Sequence, residues 1–167
     1  NLALGGQDCS GTYIEGAKVT GTGLSTSADI LFTRCTLNGC TLAAIEANNC
    51  HINGTITLSE AGYYTLKDCS PLHGNSAPII DFVAALGTST VAFRQWAGAI
   101  ELQNMHASDF VVIGGWGGIT LGSTNHGGSL TIRGNFELTD ASATVTVTDS
   151  SRFNEDQQLN TAQTILA

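Results

Sequence analysis

Charge is scarce in this chain of 167 residues: Asp, Glu, Lys and Arg together make up 12%, about half the usual share. Only six Lys and Arg stand against fourteen Asp and Glu, for a net charge of −8. Nucleic-acid binding needs a clustered basic surface, and adhesion to anionic lipid by charge needs cations too; both are disfavoured. No apolar run approaches the roughly 18 residues of a membrane-spanning helix, so no membrane insertion is expected. Proline occurs twice and methionine once. The chain opens on Asn1 with no basic n-region or signal-peptide h-region, and it is expected to be an ordered fragment or a processed form. Five cysteines cannot all pair within one chain. They form no CxxC and no zinc-type Cys/His spacing, so no metal and no cofactor is expected.

What is abundant is Gly (20 residues), with many Thr, Ser and Asn, as in an all-β chain with frequent bends. A phrase also returns in altered form. It reads Arg34-Cys35-Thr36-Leu37-Asn38-Gly39, then Asn49-Cys50-His51-Ile52-Asn53-Gly54, then more loosely Asp68-Cys69-Ser70-Pro71-Leu72-His73-Gly74, with a forerunner at Asp8-Cys9-Ser10-Gly11. Residues two apart on a strand face the same way. Cys35 with Leu37, and Cys50 with Ile52, therefore face inward together, and Asn-Gly supplies a bend because both residues tolerate positive φ. A strand that bends and returns at this interval is one coil of a β-solenoid, each coil burying its face against its neighbours. Asn-Gly is equally a hairpin signal, so a local meander competes with the coil. The recurrence of the whole phrase favours coils, with Cys35, Cys50 and Cys69 as a reduced, buried structural ladder. A Cys35–Cys40 disulfide is the alternative; a reduced ladder implies assembly in a reducing cytosol.

The chain divides into three regions on this reading. Residues 1–74 hold the Cys-marked solenoid repeats, beginning over Asn1–Gly16 with an incomplete coil or a join to an upstream part. The stretch Ala17–Ala28 reads as a loop, or as a strand packed on another chain. Residues 75–150, after a boundary marked by Pro71 and Pro78, continue as short strands about every ten residues, in a further solenoid or β-prism. There Gly114-Gly115-Trp116-Gly117-Gly118 allows either a tight turn or close approach of another backbone. Residues 151–167 open with Asn154-Glu155-Asp156-Gln157, a capping-box pattern, and Leu159, Ala162 and Leu166 follow at helical spacing. The start of a helix, and of a coiled coil, is expected there.

Chemistry is weakly signalled. Asp68, Asp81, Glu101 and Asp109 are single and scattered, with no close pair of the kind glycosidases use. His51, His73, His106 and His126 share no spacing, no Gly-x-Ser-x-Gly elbow occurs, and the Gly114–Gly118 run lacks a phosphate-loop ending. Cys35 and Cys40 have no fixed His partner to make a nucleophile. Catalytic residues are therefore expected to be none. Aromatic residues are few, and Tyr63, Tyr64, Arg94, Trp96 and Trp116 concentrate many of them beside polar groups. These five are the candidate interface or receptor contacts; of Tyr63 and Tyr64, one must face out.

Ile79-Ile80-Asp81-Phe82, the run Thr90 to Met105, and Gly127-Gly128-Ser129-Leu130-Thr131-Ile132-Arg133-Gly134-Asn135-Phe136 resemble segments of tailed-bacteriophage tail fibre and baseplate β-solenoid proteins. The Cys-marked repeat is similar to the same group, so the likeness covers residues 29–140. It implies a non-enzymatic virion component of the tail, assembled in the host cytoplasm. It also implies an intertwined or side-by-side homotrimer that meets other tail or baseplate proteins and contacts a host surface glycan or protein. Rival readings are a secreted β-helix enzyme degrading polysaccharide and a bacterial surface adhesin.

Overall fold

The computed structural model describes residues 1–25, 27–83, 87–140 and 144–149. It is all-β, with fifteen strands in one continuous parallel system and no helix among the described residues. Strand β1 (Leu2–Asp8) lies against the first coil. That coil is β2 (Tyr13–Glu15) and β3 (Lys18–Leu24); the second is β4 (Ile30–Thr33) and β5 (Thr36–Leu42); the third is β6 (Ile45–Asn48) and β7 (His51–Leu58). Coil four comprises β8 (Tyr63–Lys67), β9 (Ser70–Pro71) and β10 (Ile79–Asp81), and coil five comprises β11 (Thr90–Ala97) and β12 (Ile100–Gln103). Coils six and seven are single long strands, β13 (Phe110–Leu121) and β14 (Ser129–Asp140), and β15 (Thr146–Asp149) lies on the first part of β14. Every strand pairing described is parallel. The result is a β-solenoid of about seven turns.

Two kinds of corner shape the earlier coils. The first follows the opening strand and holds a residue in the left-handed region: Arg34 (φ 53°), Asn49 (φ 53°), Asp68 (φ 53°) and Gln95 (φ 59°). Asn and Asp tolerate that conformation through short local hydrogen bonds. The second corner is glycine, at Gly39 (φ 60°) and Gly54 (φ 67°), and the ladder shifts register there, between Asn38 and Cys40. Asn38-Gly39 and Asn53-Gly54 therefore bend a strand within a coil and do not reverse it into a hairpin. Three flanks result, called here one, two and three in chain order around each coil.

The residue after each first corner turns inward, and there the cysteines stack. Cys35, Cys50 and Cys69 are buried free thiols. The backbone N–H of Cys35 donates to the Cys50 sulfur at 3.4 Å, and that of Cys50 donates to the Cys69 sulfur at 3.4 Å. Each thiol donates to the carbonyl two residues back: Cys35 to Thr33 at 3.4 Å, Cys50 to Asn48 at 3.3 Å, Cys69 to Lys67 at 3.3 Å. Cys40 is also free, which excludes a Cys35–Cys40 bridge. Trp96 continues the inward position in coil five, directly after Gln95. It is fully buried, packs edge-on against Phe93 with centroids 5.3 Å apart, and donates Nε1–H to the Gly98 carbonyl at 3.0 Å.

Aliphatic columns fill the remaining interior. Cys40, Ile56, Ile80, Leu102 and Leu121 follow one another along flank three, and Tyr64, Val91, Val111, Leu130 and Val147 along flank one. Burying one such side chain contributes about 1.5–3 kcal/mol, and each does so only because the next coil is present.

Several expectations are modified. Ala17–Ala28 is not a loop throughout: Lys18–Leu24 is strand β3, paired within the chain to β1 and β5. Pro71 and Pro78 both fall within coil four: Pro71 pairs opposite Ile52 in β9, and the coil makes a detour before resuming at Ile79. The glycine run around Trp116 is no turn but lies inside β13, close to a neighbouring backbone. The expected helix over 151–167 lies outside the described residues.

Candidate functional site

Inside, the coils are mostly apolar, with Ser25, Ser89, Asp109 and Asn125 as buried polar residues; outside, they differ from one another, so what the molecule can do is written on its flanks. Alternation decides which side chains reach that surface. In β8, Tyr64 and Leu66 point inward, so Tyr63, Thr65 and Lys67 point out. Tyr63 is 74% exposed. Tyr64 is a core residue, correcting its place among the contacts: its hydroxyl donates to the Glu60 carbonyl at 2.7 Å and lies 3.3 Å from that of Leu42. Burial pushes its pKa up to about 12. Trp96 is corrected in the same way, since the position after a first corner always faces the interior. Arg94 and Trp116 are exposed, Trp116 at 61%.

The structure brings Tyr63, Thr90 and Phe110 into one row across coils four to six. Phe110 is a further exposed aromatic (39%) absent from the sequence candidates; its outward parity beside buried Val111 was the available signal. A second row runs along the end of flank one through Asn48, Lys67 and Arg94. Between the pairs Phe93–Ile113 and Trp96–Gly115 the register shifts, so that Arg94 and Gln95 together stand opposite the single residue Gly114, which pairs on its other side with Arg133. Half of the chain's six cations thus stand in one line. Among the described residues none of these three makes an ion pair; the surface pair that does form is Arg34 with Glu15, near the first coil. Trp116 follows two residues after Gly114, flanked in register by Ala97 and Asn135.

The other sequence candidates are dispersed. Asp81 and Glu101 come onto neighbouring strands of flank three, where Asp81 lies opposite Gln103 and Glu101 opposite Ile79. Their backbone positions are diagonal, roughly 8 Å apart from strand spacing and rise. Both carboxylates are engaged: Asp81 accepts from Asn104 Nδ2 at 2.8 Å and from the Val83 N–H at 2.9 Å, and Glu101 accepts from Gln103 Nε2 at 2.6 Å. Asp68 occupies a corner, with Lys67 before it. Asp109 is buried and ties a turn together, accepting from the N–H groups of Ser89 (2.9 Å) and His106 (2.7 Å), with His106 Nδ1 at 3.2 Å. His51 lies 3.1 Å from the Ser70 hydroxyl. No three His, Cys, Asp or Glu side chains converge as metal ligands among the described residues.

Cys35, Cys40, Cys50 and Cys69 are buried and out of reach of a substrate. Burial pushes Cys40 above the ordinary thiol range. The hydrogen bond with Cys50, together with burial, pushes Cys69 up as well, and Cys50 is the more acidic member of that pair because the Cys69 thiol supports it. The cysteine ladder is packing, and the outer face of coils four to seven carries the surface chemistry. Neither a protein-family model, nor a curated protein, nor a solved structure matches this chain.

Proposed function

We propose that this chain is a structural segment of a tailed-phage appendage, a fibre or baseplate-attached solenoid. It stands with identical copies as a homotrimer and presents its outer flank to the host surface. The carrying observation is the stack of parallel coils with an apolar interior, combined with an outer face bearing exposed Tyr63, Phe110 and Trp116 together with the cations Lys67, Arg94 and Arg133. Such a fold resists bending because every coil is hydrogen-bonded to the next along its length. The viral assignment itself draws on the likeness of the segments that form coils four, five and seven. Light scattering at micromolar concentration tests the assembly: a mass three times that of one chain is expected, and a monomer contradicts it.

A second reading has one observation in its favour. Asp81 and Glu101 on adjacent strands have the composition of a glycosidase pair, although amide donors already occupy both. Incubation with host surface polysaccharide separates the readings. Intact polymer accords with a structural role; release of reducing ends, lost in Asp81→Asn or Glu101→Gln, establishes the enzyme.

A further inference from the structure

The glycines around Trp116 are of two kinds. A Cβ on Gly115 would overlap the Trp96 carbonyl oxygen, and one on Gly117 would overlap that of Gly98; both residues have left-handed φ (136° and 143°). The fold requires glycine there. Gly114 and Gly118 are different. Around Gly114 the nearest atoms to an added Cβ are the Arg133 carbonyl at 3.5 Å and that of Phe93 at 3.7 Å, and around Gly118 the Ala99 Cβ at 3.8 Å. Neither has a left-handed φ. Any small residue fits, and glycine weakens a strand interior, so packing does not account for either glycine. What they do is keep the surface bare on both sides of Trp116.

That bare surface has charged borders. Arg94 in coil five lies at the register shift opposite Gly114, Arg133 in coil seven pairs with Gly114, and Lys67 extends the line into coil four. Acids also border it, Asp68 beside Lys67 and Glu137 two residues beyond Asn135. An exposed indole suits the apolar face of a sugar ring, guanidinium groups suit carboxylates in a planar, bidentate manner, and carboxylates accept from hydroxyls. We infer that the notch at Gly114, walled by Trp116, Arg94 and Arg133, binds a polysaccharide bearing carboxylate groups, running along the solenoid axis. This deepens the host-contact reading above and rests on it for its biological setting, while its chemistry stands on these residues alone. A single-stranded nucleic acid also offers rings and anions, and it is the competing ligand in the test that follows.

Affinity electrophoresis of the full chain in gels containing polygalacturonate, neutral dextran or neither tests the inference, with a single-stranded oligonucleotide as a further probe in solution. Polygalacturonate is expected to retard the protein, less so as salt rises, and dextran is not. Trp116→Ala is expected to weaken retention by about tenfold or more, and Arg94→Ala and Arg133→Ala to weaken it and lower its salt dependence. Gly114→Val is expected to abolish it at an unchanged melting temperature, which separates filling of the notch from loss of fold. Absence of retardation, equal retardation by dextran, insensitivity to Trp116→Ala, or preference for the oligonucleotide overturns the inference. The appendage reading fails separately, on the mass of the assembly.

Discussion

Trp96 and Gly115 share one register position on adjacent coils, and the Trp96 carbonyl occupies the space where a Gly115 side chain would begin. The same relation recurs one coil on, where a Cβ at Gly134 would meet the Gly115 carbonyl. Gly115→Ala must therefore displace backbone, and overpacking of this kind costs about 1–3 kcal/mol or more. Gly114→Ala, one residue earlier, is expected to be neutral or to stabilise by up to about 1 kcal/mol. Thermal unfolding of the two variants, side by side, checks the contrast.

The two tryptophans are expected to behave oppositely. Trp96→Ala empties a buried site and costs about 3–5 kcal/mol. Trp116→Ala removes a largely exposed ring and changes stability by no more than about 0.5 kcal/mol. Acrylamide quenching is expected to affect the fluorescence of the Trp96→Phe variant strongly and that of Trp116→Phe weakly.

Alkaline pH is expected to destabilise the core. Burial raises the Tyr64 pKa from 10 to about 12. A raised value means that the unfolded chain loses its proton first. The stabilisation is thus full below the unfolded value of 10 and is lost progressively as the pH rises to about 12. Melting temperatures measured from about pH 9 to pH 12 are expected to fall, and to fall less in Tyr64→Phe.

Asp109 supplies acceptors to two backbone N–H groups, that of His106 in the turn before coil six and that of Ser89 just before coil five. Asp109→Ala leaves them unsatisfied at a buried position and is expected to cost about 1–3 kcal/mol. Asp109→Asn retains one acceptor and should recover part of that loss in denaturant titrations.

How much of this was legible depended on whether the signal was local. Cys35, Cys50 and Cys69 announced the ladder because each follows a corner residue and precedes an alternating strand. Arg94-Gln95-Trp96 occupies the same place in its coil, but a Trp in a cysteine position breaks the phrase, and the indole read as a surface contact. Tyr63 and Tyr64 could be told apart in principle, since one of two neighbours on a strand must face out, but not which. The line from Lys67 through Arg94 to Arg133 was invisible. Those residues are far apart in sequence, the coils differ in length, and only the observed register aligns them.

Everything on the outer face presupposes that successive coils lie in parallel register, and cross-linking measures this directly. Thr65 and Ala92 are register partners on adjacent coils, within reach of a disulfide, whereas Thr65 and Val112 are two coils apart, roughly 10 Å, beyond its reach. Mass spectrometry after mild oxidation is expected to find a bridge in the Thr65→Cys/Ala92→Cys variant and none in Thr65→Cys/Val112→Cys. A bridge in the second pair and its absence in the first contradicts the stacking of coils on which the site depends.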